Sequence, residues 1–179
     1  MKPTQLQMMQ VLALFTTTAK AEGKKEWMAK PFSIRGLVAA SDGISAAYLP
    51  NEAQEMNFPA LDLETEVLII GHLLTPSQAL GSFDANELLK KMEVFKDEHG
   101  GCRILESVFG LENLQKLIDA AKILENPCIE IWSSPSASKS SVFGIGEFRF
   151  MLMPFKITIM NGTPVYDYLF KMNLEDTNA

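Results

Sequence analysis

The sequence predicts an α+β fold in which two amphipathic helices pack on antiparallel sheets. Apolar residues in 32–49 form two strand candidates around Asp42-Gly43, a strong hairpin signal because glycine adopts a positive φ without steric cost. Two stretches, 84–99 and 110–127, repeat apolar residues at helical spacing. Helices and hairpins are mixed along the chain, which favours antiparallel sheets.

Length and composition limit the class of protein. The chain has 179 residues, 47% hydrophobic and 21% charged, which suits one domain with a substantial core or at most two small ones. No apolar run approaches the roughly 18 residues of a membrane span, and no secretion signal is evident, so a cytoplasmic protein without a membrane partner is expected. The net charge of −6 argues against a surface that grips nucleic acid everywhere, but leaves room for a local basic stripe.

The first helix is expected over 4–19. Thr4 is a suitable N-cap, and Leu6, Met9 and Leu12 recur on one face. Further along, the apolar run Val67–Leu74 predicts a buried strand.

The second half of the chain continues the alternation of helices and strands. Asp84 is expected to cap a helix with Glu87 as its capping-box partner, and a second helix over 110–127 turns its leucines inward. "CIEIW" and "EFRFMLMPFKITI" have strand character, the second with Phe148, Phe150 and Leu152 on one face. We therefore predict a single α+β domain over 1–157 and a C-terminal extension over 158–179.

A search for catalytic or metal-binding motifs returns little. Asp42 has no His, Lys or Cys near it in sequence, so it is expected to make a turn rather than act as a base. Gly144 and Gly146 form a lone G-x-G, which is typical of a turn before a strand. The two cysteines, Cys102 and Cys128, lack zinc-site spacing. The sequence predicts no enzyme activity, no metal and no cofactor.

Lysines occur on both long helices, at Lys90 and Lys91 and again at Lys116 and Lys122. They are either ordinary solubilising residues or a shallow basic face that contacts DNA phosphates without reading bases.

Two segments together resemble a known family. "GLVAASDGISAAYLP" is a strand that enters a Ser-Asp-Gly turn and leaves through an apolar strand. The C-terminal part has a helix led by Phe109, a strand ending near Ser134-Pro135, and a last strand finishing in Leu152–Phe155. The two segments cover about 32–50 and 109–157. Taken in this order, they resemble the bacterial DNA polymerase sliding clamp (β-clamp) family, and the second segment resembles the last domain of such a clamp.

The resemblance implies a DNA-clamp-like domain and a non-catalytic processivity factor of DNA replication. Its helices would face double-stranded DNA in a ring of several copies whose sheets pair edge to edge. Its final strand would line a pocket for short peptides of polymerases and repair proteins. The implied peptide-binding residues are Leu152, Met153, Pro154 and Phe155. The implied DNA-facing residues are Lys90, Lys91, Lys116 and Lys122.

The chain departs from the family pattern in three ways. It has the length of one domain rather than three, it continues past the Met-Pro motif, and Ile44 and Ser45 stand where a basic residue usually follows the turn. Three hypotheses therefore remain. The protein is a ring subunit on DNA, a monomeric protein-binding module of phage or mobile-element origin that modulates a host partner, or a small enzyme.

Overall fold

The computed structural model describes residues 2–17, 25–50, 57–70, 78–94, 100–105, 107–132, 140–154, 159–160, 163–164 and 168–175. Its helices are α1 (Gln5–Leu14), α2 (Leu63–Ile70), α3 (Ala85–Glu93) and α4 (Leu111–Ile123), with a 3-10 turn at Glu26–Ala29. Its strands are β1 (Phe32–Ile34), β2 (Leu37–Ser41), β3 (Ser45–Pro50), β4 (Gly81–Asp84), β5 (Gly100–Ile104), β6 (Ser107–Gly110), β7 (Cys128–Ile131), β8 (Ser141–Ile145), β9 (Phe148–Leu152), β10 (Ile159–Met160), β11 (Thr163–Pro164) and β12 (Tyr168–Met172).

A large antiparallel sheet organises the molecule. Its strand order is β1-β2-β3-β9-β8-β7-β4, and every neighbouring pair is antiparallel. A second sheet has the order β12-β5-β6, and β10 pairs with β11. The predicted α+β class is confirmed.

The large sheet is built from two units of the same topology. In the N-terminal unit α1 is followed by the meander β1-β2-β3, and in the C-terminal unit α4 is followed by the meander β7-β8-β9. The two meanders join where β3 pairs antiparallel with β9, from Ser45↔Leu152 to Tyr48↔Arg149. The repetition is one of topology, because the two stretches show no evident sequence repeat.

The main core lies between the large sheet and the helices. Phe148, Phe150 and Leu152 are fully buried on the side of β9 that packs in this core, as their alternation predicts. Leu114 and Leu117 of α4 are fully buried in the same core. Burying each such side chain stabilises the fold by about 1.5–3 kcal/mol before the entropy cost of ordering the chain.

The opposite face of the sheet is covered near β1 to β3. Ala39, Ala46, Tyr48 and Met151 belong to this second cluster. Three partly buried side chains pack over this cluster: Trp27 from the 3-10 turn, Leu61 from the residues before α2, and Ile69 from α2. This part of the sheet is thus buried on both faces.

Helix α1 begins as predicted but turns a different face inward. Thr4 caps it through a capping box with Gln7: the Gln7 amide donates to Thr4 Oγ1 at 3.2 Å, and the Thr4 amide donates to Gln7 Oε1 at 2.9 Å. The helix ends at Leu14, earlier than expected. Leu6 is 68% exposed and Met9 39%, whereas Leu12 is buried. No residue of α1 is charged, so polarity alone could not assign its inward face.

The predicted strand over 67–74 is wrong where the structure describes it. Residues 63–70 form α2, and Val67 is 60% exposed. Asp62 directly precedes the helix, and its carboxylate accepts hydrogen bonds from the Thr65 amide at 2.9 Å and from the Thr65 hydroxyl at 2.7 Å. A short apolar run does not distinguish helix from strand, and this cap decides between them. Residues 71–74 lie outside the described residues.

The apolar stretch 32–40 was expected to be one strand but forms two. β1 and β2 pair antiparallel across Arg35-Gly36, with φ of 42° at Arg35 and 78° at Gly36. Positive φ at both positions is the geometry of a tight hairpin turn, and Gly36 adopts it without strain.

Part of the predicted C-terminal extension packs into the fold. β12 runs parallel to β5, from Tyr168↔Gly100 to Met172↔Ile104. Phe170 and Met172 are buried in the main core. Phe170 therefore acts as a core residue in this structure.

Candidate peptide-binding surface at the end of β3 and β9

The turn between β2 and β3 is held by its own side chains. Asp42 Oδ1 accepts hydrogen bonds from the amides of Ile44 and Ser45, both at 2.8 Å, and Asp42 Oδ2 accepts from the Ser45 hydroxyl at 3.0 Å. Gly43 has a φ of 89°. Asp42 makes the corner that its sequence context predicts.

A lysine from a distant helix tethers the same turn. Lys116 of α4 forms an ion pair with Asp42 Oδ2 and lies 3.0 Å from the Ser45 hydroxyl oxygen. Its ammonium also stands 5.6 Å from the centre of the Phe15 ring, a cation–π arrangement. The Asp42 side chain is 14% exposed and that of Lys116 is 24% exposed, so water screens the pair only in part. Lys116 is 74 positions from Asp42 in the sequence, so local sequence patterns did not identify it as the partner of Asp42.

The environment of Asp42 favours its charged form. Burial alone raises the pKa of the carboxyl, but the hydrogen bond from Lys116 and those from the Ser45 and Ile44 amides outweigh it. The pKa of Asp42 is therefore lowered from its ordinary value. An ionised carboxylate holding four donors serves to orient the turn.

The tethered turn places an apolar pair beside the end of β9. The Met153 amide donates to the Ile44 carbonyl at 3.1 Å, which extends the β3–β9 pairing past Ser45↔Leu152. Ile44 is 48% exposed and Met153 39%, while Leu152 is fully buried and Pro154 half-buried. We call Ile44, Met153 and Pro154 the tip patch.

The tip patch contains two of the four residues predicted to bind peptides. Leu152 lies beneath it in the core, so its side chain is not open to a partner. Phe155 lies outside the described residues. Sequence reasoning missed Ile44, although an isoleucine directly after an Asp-Gly turn was a usable signal, since such turn positions are usually polar.

The four lysines predicted to face DNA do not form one free basic surface. Lys116 pairs with Asp42, and Lys122 lies 3.9 Å from Asp119 on the same helix. Lys91 pairs with Glu87 at 3.1 Å and donates to the Lys171 carbonyl.

Lys90 differs from the other three lysines. It is exposed, and among the described residues no carboxylate lies within ion-pair distance of it. The DNA-facing role of these residues stays a prediction.

Among the described residues, the apolar side chains of two helices line a groove. This groove, of about 500 Å³, lies between α3 and α4 over Leu89, Met92 and Leu111. Within the described ranges, no three His, Cys, Asp or Glu side chains gather as a metal site would require. Of the described helices, none has the length and apolar character to cross a membrane.

Comparison with known proteins identifies the fold. The chain superposes on the β subunit of DNA polymerase III from Thermotoga maritima with a TM-score of 0.50 and 7% sequence identity, over 87% of this chain and 63% of that one. It superposes on the pol III β of Caulobacter crescentus with a TM-score of 0.53 and 10% identity, over 84% and 63% of the two chains. The chain thus has a clamp-like fold, and the resemblance predicted from the sequence is confirmed at that level.

The match spans less than two thirds of the length of each solved structure. No model of a protein family matches the sequence, and no curated protein matches it.

Proposed function

We propose that this protein is a non-catalytic binding module with a clamp-like fold, which captures a short apolar peptide segment at the tip patch. The observation that carries the proposal is the side-by-side exposure of Ile44 and Met153 next to Leu152, the fully buried last residue of β9. An exposed apolar pair on a rigid frame is the usual core of a peptide-binding surface.

The rigidity of the turn supports this role. Ile44 projects from a loop whose two neighbouring amides are bound by Asp42, and Asp42 is in turn held by Lys116. A preorganised surface loses little conformational entropy on binding, so even a small patch can give measurable affinity.

Charge distribution favours a protein partner over DNA. Helix α1 has no charged residue, and three of the four lysines have carboxylate partners within the chain. DNA affinity comes mainly from Lys and Arg contacts to phosphates, and a lysine already paired must give up that pair to make one. The proposed partners are short segments of replication or repair proteins, as the fold resemblance suggests.

A synthetic peptide tests the proposal. The probe carries the sequence Gln-Val-Leu-Ala-Leu-Phe of residues 10–15 of this chain, whose glutamine and terminal Leu-Phe pair resemble the short peptides that dock into the pockets of the clamp family. We expect fluorescence polarisation to detect its binding to the natural chain, and the double variant Ile44→Asp with Met153→Asp to weaken it at least about tenfold, equivalent to about 1.4 kcal/mol. The variant should bind more weakly because an apolar ligand would remove water from the new carboxylates, and burying an unpaired charge is unfavourable.

A matched control variant distinguishes binding at the tip patch from non-specific hydrophobic binding of the probe. Val94 at the end of α3 is 71% exposed, so Val94→Asp places a charge on an exposed apolar position far along the chain from the patch. This variant should bind the probe as the natural chain does. The proposal fails if the probe does not bind at about 1 mM, or if the double variant binds as well as the Val94→Asp control.

A further inference from the structure

The outermost strand β4 is occupied on both sides. On its inner side it pairs with β7, through Gly81↔Ile131 and Phe83↔Ile129. On its outer side the Ser82 amide donates to the Glu175 carbonyl at 3.0 Å, and the Glu175 amide donates to the Ser82 carbonyl at 2.8 Å. The outward backbone groups of Ser82 are therefore satisfied by the C-terminal part of the same chain.

The contact between the two segments is close. A Cβ added to Gly81 would lie 3.1 Å from Leu174 Cβ and 3.2 Å from the Glu175 carbonyl oxygen. Leu174 is half-buried and packs against the main core. Glycine at position 81 therefore allows the C-terminal segment to lie directly on the edge of the sheet.

Neighbouring residues anchor this segment. β12 ends at Met172, which is buried with Phe170 in the core, and Lys91 Nζ donates to the Lys171 carbonyl at 3.2 Å. The three residues that follow β12 are held at one end by the buried Met172 and at the other by Ser82. We call Asn173–Glu175 the C-terminal cap.

A sheet edge with free backbone groups is a template for pairing with another strand. We propose that the C-terminal cap closes the β4 edge, and that its removal lets β4 pair with β4 of a second copy of this chain. Two identical strands pair antiparallel about a twofold axis, which places Ser82 near Ser82 and lets each supply the partner that Glu175 now provides. Strand β4 carries one ionisable side chain, Asp84, at its end.

This inference does not depend on the proposed peptide site. The tip patch lies at the end of β3 and β9 in the middle of the strand order, whereas β4 is the last strand. Loss of peptide binding and gain of self-association are measured separately, so either idea can fail without the other.

Two truncations form a matched pair. A chain ending at Met172 lacks the cap, whereas a chain ending at Glu175 keeps it and loses only the four residues after it. In the chain ending at Met172 we expect hydrogen exchange at the Ser82 amide to be at least tenfold faster at low protein concentration. We also expect light scattering to give a dimer dissociation constant at least tenfold lower than that of the chain ending at Glu175.

A second change identifies the edge responsible. Ser82→Pro removes the outward amide, so in the chain ending at Met172 it should abolish the added self-association. If that chain fails to fold, Gly81→Val in the full-length protein displaces the cap sterically and should have the same two effects. Unchanged Ser82 exchange without the cap would overturn the proposal. So would equal dimerisation of the two truncations, or added association that persists with Ser82→Pro.

Discussion

The two units of the large sheet share a topology but hold their last turns differently. In the N-terminal unit the turn before β3 carries Asp42, which is tied to α4 by Lys116. In the C-terminal unit the turn before β9 is Gly146-Glu147, where Gly146 has a φ of 58° and its carbonyl accepts a hydrogen bond from Arg149 at 2.7 Å. One turn is fastened to the opposite unit, and the other is closed by a residue three positions away.

The two turns have the same place in the topology, but they are held by different contacts. Either turn forms from local residues alone, because each has a glycine where a positive φ is needed. Among the ion pairs of the described residues, the long-range one at these two turns belongs to Asp42, and the same turn presents an exposed apolar residue, Ile44.

Breaking the tether should give the largest change. Lys116→Met removes the cation and leaves the mostly buried Asp42 carboxylate without it, so the free energy of unfolding should fall by about 2 kcal/mol in urea denaturation. The matched change in the other unit, Glu147→Ala, affects an exposed side chain and should alter stability by less than about 0.5 kcal/mol.

A double-mutant cycle isolates the pair itself. Lys116→Met and Asp42→Asn made together should cost less than the sum of the two single changes, with a coupling energy of about 1 kcal/mol or more. Strict additivity would show that the two side chains do not act on each other in solution.

The pH dependence of stability should differ between the natural chain and Asp42→Asn. The folded pKa of Asp42 is lowered, so its contribution is fully present above the ordinary value of 3.8 and is lost as the pH falls through the folded value. The natural chain should therefore lose more stability than Asp42→Asn when the pH drops below 3.8, as measured by thermal unfolding. Parallel stability curves for the two proteins would contradict the lowered pKa.

The smallest effect concerns the predicted DNA-facing lysines. If they contact phosphates, Lys90→Glu with Lys91→Glu should weaken salt-sensitive retention on double-stranded DNA and lower the salt slope by about 1 per lost contact. Lys122→Glu is the comparison: it reverses a charge on the other helix, leaves Lys90 and Lys91 in place, and should change retention less than the double variant does. If the double variant is retained on DNA as well as the natural chain is, Lys90 and Lys91 are not the DNA-facing residues.

Local signals in the sequence determined most elements correctly. The Thr4 and Asp84 caps, the Asp42-Gly43 turn and the alternation along β9 appear in the structure as expected, because each depends on residues within a few positions of one another. The capping-box role expected of Glu87 is not among the described contacts: Asp84 accepts hydrogen bonds from the Asn86 and Glu87 amides, and the Glu87 side chain pairs with Lys91. The prediction of a strand over 67–74 was wrong where the structure describes it, because local residues within that segment do not favour a strand over a helix. Its apolar run carried no local preference, and the capping contacts of Asp62 favoured a helix.

Patterns in the sequence predicted the α+β class and the clamp-like fold, and the Met-Pro pair follows β9 as expected. Tertiary structure alone decided that Lys116 binds Asp42, that Ile44 lies beside Met153, and that Glu175 closes β4. The physical reason is sequence separation. Capping, turn geometry and strand alternation are short-range effects, whereas these three contacts join segments that become neighbours only once the sheet has brought them together.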